Sequence, residues 1–124
     1  MAFFRCSSGG GSGGDNYVFS KTEKITFSSK AGTLSGLTSG KSYMLIIDFG
    51  WSNANYSAEL ASATNTSGLT KVNSGVDVVT TQTNYANTNW SIYTFTATST
   101  SSKLTLSSMS SASCGIRVFL FEKV

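Results

Sequence analysis

Two short stretches of this 124-residue chain concentrate the side chains able to grip a small molecule. GWSNANY supplies Trp51, Asn53, Asn55 and Tyr56, and TQTNYANTNW supplies Tyr85, Asn87, Asn89 and Trp90, with Gln82 and Asn84 beside them. Flat aromatic faces stack on the C–H side of a sugar ring, and amides both donate to and accept from its hydroxyls. That chemistry is recognition of a glycan, without bond breaking. A structural role competes at both tryptophans. Trp51 directly follows an apolar run and Trp90 begins one, so either can close a core, and Asn-rich stretches also make turns. Tyr85 stands in a polar stretch and is the aromatic expected at the surface.

Catalytic groups are scarce. The chain has no histidine, which removes the commonest general base and metal ligand together. Its acids are Asp15, Glu23, Asp48, Glu59, Asp77 and Glu122, and none forms a close pair in sequence. Cys6 and Cys114 lie at opposite ends, which is no zinc spacing; two free thiols are expected rather than a disulfide. GGGSGG lacks the lysine and the following helix of a phosphate cradle. The expectation is a non-enzymatic protein with no metal and no cofactor. The net charge of +3 comes from lysines and arginines scattered singly, so no nucleic-acid footprint is expected. No run approaches a transmembrane span, and no apolar signal segment opens the chain.

The elements that must position the aromatic stretches read as strands. There is no proline, and serine, threonine and asparagine, which compete with a helical backbone for hydrogen bonds, abound. Apolar residues alternate from Tyr17 onward. Ile25 and Phe27 share a face; Tyr43, Leu45, Ile47 and Phe49 share one, with Met44 and Ile46 on the other. Further strands are expected in YSAELASA, VDVVTT, WSIYTFTAT and SKLTLSS, and in CGIRVFLFEKV, where Cys114, Ile116, Val118 and Leu120 oppose Arg117, Phe119 and Phe121. Turn signals fall at 28–32, 35–40, 65–68, 73–75, 99–103 and 108–113. The pattern predicts an all-β, antiparallel β-sandwich of about eight strands, jelly-roll-like, over residues 15–124. Asp48, set in an apolar run, is expected to face water where its strand ends, in preference to a buried ion pair with Lys41 or Arg117. Apolar residues on both faces of the Tyr43 and Cys114 strands favour a homo-oligomer.

LSGLTSGKSYMLIIDF and NWSIYTFTATSTSSKLTLSSMSSASCGIRVFLFEKV resemble passages of jelly-roll carbohydrate-binding modules. The resemblance implies a sandwich and a sugar ligand; the calcium-binding acids usual in such modules have no clear match, and Arg117 stands where an Asp often falls.

Residues 1–14 read differently from the rest. MAFFRC, with Phe3, Phe4 and Arg5, precedes SSGGGSGG, an apolar peptide on a flexible Gly/Ser-rich arm. Anchor, linker and Pro-free β-domain together are similar to small tail or capsid accessory proteins of bacteriophages and prophages. That likeness implies a virion structural protein assembled in the host cytoplasm. Its Phe3, Phe4 and Arg5 would dock on other virion proteins, and it would be a homo-oligomer, a trimer by preference, with a domain available for host attachment, neither membrane nor nucleic acid being a partner. The alternative expectation is a stand-alone carbohydrate-binding module.

Overall fold

A computed structural model describes residues 17–49, 59–74, 90–109 and 112–124. Eight strands account for most of them: β1 (Tyr17–Ser28), β2 (Ala31–Ser35), β3 (Ser42–Asp48), β4 (Leu60–Ala63), β5 (Thr66–Ser74), β6 (Trp90–Ala97), β7 (Ser101–Leu106) and β8 (Ser113–Lys123). No α-helix occurs among the described residues. The strands form one antiparallel sheet in the order β4-β7-β2-β1-β8-β3-β6-β5.

The two outermost strands of that order, β4 and β5, are consecutive in the chain, so the sheet must curl until its edges meet. Thr64 and Asn65 make the join. The Thr64 amide donates to the Lys103 carbonyl at 3.0 Å, and the Thr98 amide donates to the Asn65 carbonyl at 2.9 Å. Asn65 adopts a left-handed φ of 57°, and its Nδ2 donates to the Ser101 carbonyl at 2.9 Å. Asparagine tolerates that conformation because its short side chain hydrogen-bonds locally. Farther along the same seam, Lys71 Nζ meets Glu59 Oε1 at 3.2 Å. The result is nearly a barrel. The expected all-β antiparallel fold is present, as one curled sheet more than two separate ones.

A second seam lies between β1 and β2, whose ladder is the single pair Ser28↔Ala31. There the sheet bends sharply, and Gly32 allows it: a Cβ on this residue would stand 2.6 Å from Ile25 Cγ2. Lys21 bridges the open end of this seam, its Nζ donating to the Ser35 carbonyl at 2.7 Å.

Inside the curl, Ile25, Phe27, Leu34, Tyr43, Leu45, Ile47, Phe95, Leu104, Leu106, Ile116, Val118 and Leu120 form one buried cluster with neighbouring apolar residues. A second cluster lies on the outer face of β8, β3 and β6: Met44, Ile46, Trp90, Ile92 and Phe121, with Tyr17 and Phe119 packed against it. The two-faced burial expected of β3 is therefore present.

The sequence reading places turns at 28–32 and 35–40 with no strand between, and a turn at 65–68 with none after it. The structure puts β2 and β5 there. β2 has only Gly32 and Leu34 fully buried, and β5 shifts register between Ser67 and Thr70 and again between Lys71 and Asn73, which erases the period of two. The strand expected at VDVVTT, and the Tyr56 and Ala58 portion of YSAELASA, lie outside the described residues.

Candidate binding end of the sheet

Trp90 is the candidate ligand residue within the described set; Trp51, Asn53, Asn55, Tyr56, Tyr85, Asn87, Asn89, Phe3, Phe4 and Arg5 lie outside it. Trp90 opens β6 and is only 6 % exposed. Its indole stacks on the Phe119 ring, with centroids 5.4 Å apart and planes 24° apart. That contact follows from register: Asp48 of β3 stands opposite both Trp90 and Arg117, which brings β6 and β8 side chains together across β3. Trp90 Nε1 is buried with no hydrogen-bond partner among the described residues.

Asp48 departs from the expectation that it faces water. It is 2 % exposed, and its Oδ2 accepts a hydrogen bond from Arg117 Nη2 at 2.8 Å. The reason is again register, since Arg117 is the direct cross-strand neighbour of Asp48 on the outer face. A carboxylate in an apolar strand is tolerable once a guanidinium stands beside it. The same guanidinium lies over the Phe119 ring, 5.1 Å from its centroid. Asp48, Arg117, Phe119 and Trp90 thus form one continuous contact at this end of the sheet. The sequence shows Arg117 and Phe119 on one face, but not which strand pairs with theirs.

The two aromatic stretches are bracketed by positions at this same end. Segment 50–58 runs between Phe49 and Glu59, and segment 75–89 between Ser74 and Trp90. Asp48 pairs with Trp90 and Ser74 with Ser91, while the Leu60 amide donates to Tyr93 Oη at 2.7 Å. The flanks of both segments therefore converge.

The opposite end is polar and holds the start of β1 and the end of β8, Tyr17 pairing with Lys123. There Lys21 Nζ meets Glu23 Oε1 at 2.7 Å, and Lys41 Nζ donates to Glu122 Oε1 at 3.1 Å. Ser20 Oγ donates to Glu122 Oε2 at 3.2 Å. The Lys41 hydrogen bond holds the Glu122 carboxyl below its ordinary value, with Ser20 adding to the effect and desolvation opposing it. No cluster of histidine, cysteine or acidic residues among the described residues could hold a metal ion. Cys114 is a half-buried free thiol.

No protein-family model, curated protein or solved structure matches this chain.

Proposed function

We propose that this protein is a non-catalytic structural and adhesion component of a phage or prophage virion. Its N-terminal peptide, through Phe3, Phe4 and Arg5, docks on the particle, and the β-domain stands outward with its aromatic and amide-rich segments available to host-surface glycan. The observation that carries this reading is the polarity of the sheet. Residues 1–16 lead into β1 at the end where Tyr17 meets Lys123, whereas segments 50–58 and 75–89 are bracketed at the Asp48–Trp90 end. At about 3.3 Å per residue, the seven residues of β3 separate the two ends by roughly 20 Å. A tether at one end and recognition chemistry at the other is what an attachment protein needs.

Deleting residues 1–14 tests the docking. The shortened protein should keep its fold, read by circular dichroism, and disappear from purified particles; normal incorporation overturns the assignment. The convergence of the flanks of both aromatic segments also favours the second reading, a stand-alone carbohydrate-binding module. A glycan array with Trp51→Ala and Tyr85→Ala variants decides the ligand. Absence of any bound glycan, or undiminished binding by both folded variants, removes sugar recognition from either reading.

A further inference from the structure

The outer face of β8, β3 and β6 is more deeply buried than its own neighbours explain. Met44, Ile46, Ile92 and Phe121 stand off that face at 0–2 % exposed, and Trp90 at 6 %. Side chains on a sheet face project away from it, so strand neighbours shield their flanks and a second layer shields their tips. All eight strands belong to the one curled sheet, whose inner side holds the other cluster. Tyr17 and Phe119 pack against the outer cluster, and Phe19 meets Phe121 edge-on at 5.6 Å, but all three belong to β1 and β8 of that same sheet. The burial is that of a single chain, so the cover is intramolecular.

We propose that the N-terminal peptide supplies it: residues 1–4 fold back so that Phe3 and Phe4 lie on Met44, Ile46, Ile92 and Phe121 of their own domain. The place where the arm joins the sheet favours this occupant. Tyr17 packs on the cluster itself, at the end of the face where Met44 stands opposite Phe121. The twelve residues from Arg5 to Asn16 are rich in glycine and serine, and such a chain has a root-mean-square reach of about 20 Å. That matches the length of β3, so the peptide reaches every part of the face. Chemistry favours it too. Met1, Ala2, Phe3 and Phe4 carry no polar side-chain N–H or O–H group. Segment 75–89 starts and ends at the Asp48–Trp90 end and is mostly amides, hydroxyls and glycine around Asp77. Laid over Met44 and Phe121, it would bury polar groups against an apolar surface, which is costly. Segment 50–58 has to lead from β3 to β4, three places away around the closed sheet. The contact adds a regulation to the docking reading, since Phe3 and Phe4 cannot seat on a particle and on their own domain at once, and it stands without that reading.

Trp90 reports on the cover. In the full chain carrying Trp51→Phe, Trp90 is the remaining tryptophan, and its emission is read with and without Phe3→Ser and Phe4→Ser, circular dichroism confirming the fold. Removing both rings should move the emission to longer wavelength, raise its quenching by acrylamide and raise the binding of an apolar dye. A second measurement keeps the peptide intact: a spin label on Cys6 of the Cys114→Ser chain should broaden the methyl signals of Met44, Ile46 and Ile92, and the two serine substitutions should relieve that broadening. Unchanged emission in the folded variant assigns the cover to another segment and overturns the proposal. So does a cluster left sharp by the label, or a burial of Trp90 that appears only as the chain associates at high concentration. Incorporation into particles is scored separately, so the docking reading and this contact can each fail alone.

Discussion

Ser102 is the least comfortable residue in the interior. It is 1 % exposed, on the same face of β7 as the buried Leu104 and Leu106, and its hydroxyl has no partner among the described residues. A buried hydroxyl without a hydrogen bond costs on the order of 1–3 kcal/mol. Ser102→Ala removes it with little change of volume, so urea unfolding should show a gain of up to about 1 kcal/mol. Arg117 gives the opposite result. Arg117→Met takes the cation away from a carboxylate that is 2 % exposed, and stability should fall by about 3 kcal/mol, the low end for buried pairs because Arg117 keeps some contact with water. Converting Asp48 to Leu in the same background should recover most of that loss. A double variant as unstable as Arg117→Met would show that the damage comes from lost packing on Phe119.

Among the elements, β3, β6, β7 and β8 were legible because each carries closely spaced large apolar residues, alternating as Leu104 and Leu106 on β7 or filling both faces as on β3. β5 was not, since among its described side chains only Leu69 packs against the inner cluster and two register shifts scramble its period. β2 was hidden by Gly32, whose absent side chain is its contribution to packing. The sequence offers an Asp48–Arg117 ion pair only as the less favoured alternative, beside Lys41, because the residues are 69 positions apart and only the register of β3 on β8 makes them neighbours. Trp90 shows the same limit, its stacking partner Phe119 being two strands away. At this scale Gly32→Ala is the informative change. Its Cβ would meet Ile25 and Phe27 at 2.6 and 3.1 Å, both fully packed in the core. Overpacking of this kind costs about 1–3 kcal/mol, so the melting temperature should drop, and the equivalent change at Gly115 should cost much less. There the obstacle is the flexible stem of Lys24.

For the whole molecule, acid sensitivity should come partly from the polar end. The carboxyl of Glu122 titrates below its unfolded value because Lys41 hydrogen-bonds the charged form. Its stabilising contribution is present above the ordinary carboxylate value and is lost as pH falls through the lower folded one. Unfolding free energy measured across the acid range should therefore decline with falling pH, and Glu122→Gln should flatten part of that decline. An unchanged slope in the variant would assign the acid sensitivity to other carboxylates.

The pairing of Tyr17 with Lys123 also decides how the domain bears force. Pulled by its two ends, the chain would open the β1–β8 ladder from one extremity, each hydrogen bond taking the whole load in turn, and it would peel easily. Held by the N-terminal arm and dragged from the Asp48–Trp90 end, the same ladder lies along the line of pull, and its bonds share the load in shear. A domain tethered at its arm and gripped at its far end would thus be strained along its strong direction.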